Sequence, residues 1–352
     1  MRVDCAGHSA AVDQGALART VRSLLGRAVT DLNLRAELDR ALPLEPDAGP
    51  PPCYPGLVAL AHRVRPTGDR AGVEDAGRIR VPARFAAQLT EQLTRAQGAA
   101  ERVRKPLAGG WHVDLAPAEP HLEHSVRRAL AQIPPRDGHT PTASVLDWPE
   151  QFRAPIREAA ELVAHVWPAM FAELCTVVRQ LAVISGVSIH GFTDFATHGV
   201  VYLGSARFDI DAGGLPVHCQ LAEALVHEAT HNRCNVASLT TRFFQPDAGD
   251  EQRVSTPLRA DPRPLAGLFQ QIVVLARSVL LYQRILNDRG WVDVPRASTA
   301  LRSRYDELVE QGRRGLSTAR THAAALSEHG LDVLDQSEVI LRHTGLVREP
   351  AS

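Results

Sequence analysis

Leu225-Val226-His227-Glu228-Ala229-Thr230-His231 is the stretch on which the reading of this chain turns. Two histidines four residues apart lie one above the other on a helix, so their imidazoles can converge on a single metal ion. Glu228 sits about 100° around the axis, beside that face, where it would reach a metal-bound water or an orienting group. The surrounding residues read as a helix from about Val217 to Ala237. Gly213-Gly214-Leu215-Pro216 opens it, and the turn Leu221 to Val226 is amphipathic.

Working outward, Ala182 to Ile189, Gly199 to Gly204 and Arg207 to Ile210 read as short strands, and Ile156 to Leu181 as a long helix with an irregularity at Pro168. Downstream, Pro264 to Asn287 reads as a long apolar helix, followed by a charged helix over 299–325 and a C-terminal piece near 331–343. Leu17, Val21, Leu24, Leu25 and Val29 share one helical face. Pro50-Pro51-Pro52 interrupts the N-terminal region, which has another helical piece near Arg84–Val103. The expected fold is α+β and mainly helical. It has a metalloprotease-like (zincin-like) catalytic half over 151–352, in which a small sheet lies beside the HExxH helix and the 264–287 helix closes the site. Residues 1–150 are expected to form a helical, Pro-interrupted region that helps hold a substrate.

Composition narrows the function. The 39 basic and 40 acidic residues leave a net charge of −1, which excludes an overall basic field for gathering nucleic acid or anionic membrane. Trp111, Trp148, Trp167 and Trp291 are dispersed and form no stacking platform, and Gly109-Gly110 lacks the Gly-Lys-Ser/Thr of a phosphate loop. The five cysteines are scattered without a CxxC pair, so a reducing cytoplasm is the expected location. The N-terminus lacks the apolar core of a signal peptide. The longest apolar candidate for a membrane span, Val166 to Val183, is broken by Pro168, Glu173 and Arg179. His121 and His124, in His-Leu-Glu-His, read as a solvated helix start.

Two side chains hold an ion loosely, so a third ligand is expected. The positions where a metzincin would carry Gly and His are Cys234 and Ala237. No acidic residue lies between Pro264 and Asn287, where a gluzincin would place its Glu. The polar residues intruding on that helix are Gln270 and Gln271. Gln270 is the candidate third ligand; His198, His218, Asp250, Glu251 and Asp261 are alternatives.

The stretch Val226-His227-Glu228-Ala229-Thr230-His231, followed by Arg259-Ala260-Asp261-Pro262-Arg263-Pro264-Leu265-Ala266-Gly267, resembles the HExxH proteins of bacterial peptide natural-product clusters, the 2-oxoglutarate-dependent HExxH-type peptide β-hydroxylases. The resemblance covers roughly 180–290. Gln270 departs from it, standing where many members carry His. The resemblance implies a mononuclear Fe(II) oxygenase that uses 2-oxoglutarate and O2 to hydroxylate the β-carbon of a residue in a ribosomally made precursor peptide. His227 and His231 would then ligate iron, and Glu228 would orient water, substrate or a ligand rather than act as a proteolytic base. The far carboxylate of 2-oxoglutarate needs a cation, for which Arg259 and Arg263 are the candidates. The competing readings are a zinc-dependent HExxH peptidase, for example one that processes a leader peptide, and a catalytically inactive peptide-binding relative.

Overall fold

The computed structural model describes residues 1–5, 9–42, 53–66, 79–81, 83–133, 135, 140–186, 189–208, 214–246, 248, 253–256, 259–288 and 295–342. The helices are α1 (Ser9–Ala28), α2 (Leu32–Ala41), α3 (Pro55–Arg63), α4 (Phe85–Arg102), α5 (Pro120–Leu130), α6 (Arg153–Val166), α7 (Pro168–Val177), α8 (Val217–Ala237), α9 (Leu265–Asn287), α10 (Pro295–Arg320) and α11 (Glu328–Arg342). The strands are short: β1 (Arg65–Pro66), β2 (Ile79–Arg80), β3 (Asp114–Leu115), β4 (Val145–Leu146), β5 (Gln180–Ile184), β6 (Gly191–Phe192), β7 (Val200–Gly204), β8 (Arg253–Thr256) and β9 (Arg259–Pro264). The protein is thus α+β and mainly helical, as its periodicity predicts.

The chain divides into two compact units. One comprises Met1–His8, Glu150–Leu174 and Ala206–Ser352; the other comprises Ser9–Pro149 and Cys175–Ser205. This division breaks after Pro149, one residue before the sequence-based boundary between 150 and 151. It differs over 175–205, which joins the N-terminal residues.

The second unit is organised by a sheet in the order β3-β5-β7-β6, with β4 also paired to β5. β5 and β7 are parallel, Gln180 opposite Val200 and Ile184 opposite Gly204. Every residue of both strands is buried. That burial matches their near-continuous apolar sequence, which is typical of parallel strands covered on both faces. Ala182, Ile184, Val200 and Tyr202 share a core cluster with Leu122 and Val126 of α5. This explains why 175–205 joins the N-terminal residues: the apolar strands are covered by a helix from the first half of the chain. Immediately after β5, Gly186 adopts φ +93°, and a Cβ there would lie 2.4 Å from the Thr142 carbonyl oxygen, so only glycine fits.

In the first unit, α8 packs chiefly on α6 and α9, and α9 also packs on α10 and α11. The main neighbours of α8 within its own unit are thus helices, and the five-stranded sheet belongs to the other unit. The long helix expected over 156–181 is two helices. Trp167, at φ −146° and ψ 71°, leaves helical geometry, because the residue before a proline is pushed out of the α region. α7 then ends at Val177, so β5 begins at Gln180, two residues earlier than the sequence suggests. Of the third expected strand, 205–207 form a 3-10 turn, and 209–210 lie outside the described residues.

Among the described residues, the helix long and apolar enough to cross a bilayer is α9, not the 166–183 stretch. Its mean hydropathy is 1.6 over an 18-residue window, but 72% of that window is buried inside the protein. Gln270, Gln271 and Arg277 interrupt the run by eye, yet the leucines and valines around them keep the average high.

Candidate metal centre

α8 is buried almost all round, as befits a helix with neighbours on several sides. From Leu221 to Ala237 every position is buried except His227, His231 and Asn235. These three are spaced by four, so they form a single stripe, and the partly open face of the motif helix consists of polar, ligand-type side chains. The His227 and His231 ring centroids are 5.2 Å apart, with the planes tilted by 60°.

α9 supplies the next layer. Gln270 lies in its second turn, and its Oε1 is 2.9 Å from His231 Nδ1. Gln270 Nε2 donates to Asn235 Oδ1 at 3.0 Å, which fixes the orientation of the amide. An amide oxygen only accepts, so His231 Nδ1 must carry the proton. Its Nε2 is then the ring nitrogen with a lone pair, the tautomer a metal ligand needs. The structure therefore brings together His227, His231 and Gln270, three residues singled out by sequence, and turns the Gln270 oxygen toward the imidazole.

Glu228 is buried beside this stripe. Burial pushes its carboxyl up to about 8, opposed by the positive charge of Arg207. The acid is thereby held in its protonated form near neutrality.

The other candidates are placed as follows. Arg263 is half-buried in β9 opposite Val254, just before α9 begins. Arg259 opens the same strand, and its side chain lies outside the described residues, as does that of Asp261. Asp250 and Glu251 also lie outside them. His218 stands nine residues before His227 on the same helix, about 13.5 Å along the axis, too far to share an ion with the pair. His198 belongs to the other compact unit, where its Nε2 is 3.0 Å from Gln14 Nε2. Among the described residues, no three His, Cys, Asp or Glu side chains form a group able to hold a metal. Cys219 and Cys234 are buried, and burial pushes their thiols up to about 12 and about 11, away from the thiolate form a cysteine cage needs.

Beneath the motif lies a polar cluster that sequence reasoning missed. Arg277 of α9 and Arg233 of α8 are fully buried around Glu173 of α7. Arg277 Nη1 lies 2.6 Å and Arg233 Nε 3.4 Å from the carboxylate. Arg277 also donates to the carbonyl oxygens of Val3 at 3.1 Å and Arg2 at 2.9 Å. The only local signal was an arginine within the apolar run Leu275-Ala276-Arg277-Ser278-Val279. A second cluster joins Glu223 of α8 to Tyr282 of α9 at 2.7 Å and to Arg304 of α10 at 2.6 Å. Together these contacts pin the motif helix on two sides.

No protein-family profile matches the chain, and no curated protein is significantly similar to it.

Proposed function

We propose that the protein is a mononuclear Fe(II)/2-oxoglutarate-dependent oxygenase that hydroxylates the β-carbon of a residue in a ribosomally made precursor peptide. The observation that carries this reading is the open stripe of α8: two neighbouring imidazoles, one held by Gln270 in the ligating tautomer, on a helix otherwise buried. His227 and His231 would hold the ion. When bound, the iron would activate O2, the oxidant, for inserting one oxygen atom into a C–H bond while 2-oxoglutarate is oxidatively decarboxylated and takes the other.

The chain's own residues then divide the remaining work. Gln270 accepts from His231 Nδ1 and keeps Nε2 unprotonated, a positioning role steadied by Asn235. Glu228, holding its proton, donates a hydrogen bond instead of taking a proton, a role suited to orienting substrate or a ligand. Arg263, rigid between Pro262 and Pro264, would pair with the far carboxylate of 2-oxoglutarate, with Arg259 as the alternative at the other end of β9. The resemblance of 180–290 to the HExxH-type peptide β-hydroxylases supports the substrate class. The lack of an acidic residue along α9 weighs against a gluzincin-type peptidase.

The test is anaerobic titration of Fe(II) and 2-oxoglutarate into the full chain. A weak visible charge-transfer band should form, and it should vanish in His231→Ala. Bound iron without such a band overturns the oxygenase reading. Zinc in the protein as isolated, with peptide cleavage that needs no oxygen, would replace it with a zinc peptidase.

A further inference from the structure

We infer that a cleft between α3, α4 and α5 of the second unit binds a small anion whose uncharged end is flat and donates hydrogen bonds, the chemistry of a nucleoside 5′-phosphate with an amino-bearing base. The cavity has a volume of about 610 Å³ and is closed on one side by residues 194–196. That volume is within the range of small-molecule sites. It lies apart from the HExxH helix in sequence and unit, and the inference does not depend on the metal centre.

Its lining includes three buried acceptors that have no donor. The chain of reasoning starts at two buried carboxylates. Gln180 Nε2 donates to Asp114 Oδ2 at 3.0 Å and Glu119 Oε2 at 3.3 Å, which turns its Oε1 toward His121 Nε2, 3.0 Å away. His121 Nε2 must therefore carry the ring proton. Burial lowers the His121 pKa, so the ring stays neutral. Its Nδ1 is then a bare lone pair, buried on a ring that forms part of the cavity wall, and it has no hydrogen-bond partner. The sequence had suggested a solvated His121; tertiary contacts bury it to 6% exposure. Gln88 Oε1 and Gln92 Oε1, also of lining residues, are likewise buried and without partners. Gly56 makes room for the latter, since a Cβ there would lie 1.9 Å from it. Three unmatched acceptors are costly unless an occupant donates to them.

The mouth has the opposite character. Arg63, His124 and Arg128 line it, and Arg127 Nη2 lies 3.0 Å from His124 Nδ1. Burial, and then the guanidiniums of Arg127, Arg128 and Arg63, hold His124 below its ordinary pKa, which places all three arginines around one point. Arg128 is matched by Asp194 at 3.0 Å, and Glu91 is matched by Arg95 at 3.0 Å. Arg63 and Arg127 form no ion pair among the described residues, leaving a net positive mouth suited to phosphate. Phe195, 37% exposed, also lines the cavity and pairs with His62 in a T-shaped arrangement at 5.1 Å, adding an aromatic surface for a planar group.

The test is isothermal titration calorimetry of the full chain with AMP, IMP, adenosine and inorganic phosphate. AMP should bind at one site per chain. IMP has a carbonyl in place of the amino group and should bind at least tenfold more weakly, as should adenosine and phosphate alone. Arg63→Ala and Arg127→Ala, both surface changes, should each weaken AMP about tenfold. Gln88→Leu should narrow the AMP/IMP ratio. Equal affinities for AMP, IMP and phosphate, no saturable AMP binding at millimolar concentration, or wild-type affinity in both arginine variants would overturn the inference. So would saturable binding of an acidic tetrapeptide without binding of AMP.

Discussion

Glu173→Gln should destabilise the protein more than any other single isosteric change within its first unit. Glu173 is 9% exposed, and the two arginines it serves are 0% exposed. Neutralising it removes the carboxylate that both buried guanidiniums approach, while both Arg277–Glu173 bonds, at 2.6 and 3.3 Å, lose their ionic character. Removing one partner from a buried pair costs about 3–5 kcal/mol. For a unit of this size that corresponds to a fall in Tm of roughly 6–20 °C. Arg277→Met alone also gives up the bonds to the Arg2 and Val3 carbonyls. The double variant Glu173→Gln/Arg277→Met removes one charge of each sign, so it should be more stable than the sum of the two single effects by about 2 kcal/mol. Urea unfolding followed by near-ultraviolet circular dichroism would measure all four proteins. A Glu173→Gln cost below about 1 kcal/mol, or strict additivity in the cycle, would show that this carboxylate does not neutralise the buried arginines.

Gln270→Leu should weaken Fe(II) binding about 10- to 100-fold while leaving the fold intact, because it removes the acceptor that sets the His231 tautomer; equilibrium dialysis would check this, and unchanged affinity would contradict the positioning role. His121 should make the protein acid-sensitive. Its native pKa lies below the unfolded value of 6.5, so below pH 6.5 the unfolded chain takes up a proton that the native ring refuses. Stability is then complete above that value and lost as pH falls beneath it. Urea midpoints at pH 5 and pH 7 should differ less in His121→Leu than in the parent, and an equal difference would count against the buried neutral ring. Gly186→Ala combines a positive φ with a 2.4 Å approach to Thr142 O and should cost about 1–3 kcal/mol, read from thermal melts; a neutral effect would mean that the 142–186 contact yields easily.

Much of this protein is legible along the chain, because helices are local objects. The four-residue spacing of His227 and His231 puts them on one face wherever α8 packs, and Leu265 to Asn287 is helical by periodicity alone. Pro168 announces an interruption, although the clean break at Trp167 had to be seen. Tertiary structure decided the matters that depend on partners far apart in sequence. The strands at 180–184 and 200–204 fall within or overlap stretches read as strands, but their covering helix comes from 120–130, so they group with the N-terminal residues. His121 finds Gln180 across 59 positions, and Glu173 finds Arg277 across 104. No periodicity encodes such pairs, because a buried charge or imidazole is tolerable only where a particular distant group meets it. Gln270 shows the same division: sequence marked it as a polar intruder and candidate ligand, but only its placed amide shows that the oxygen turns to His231.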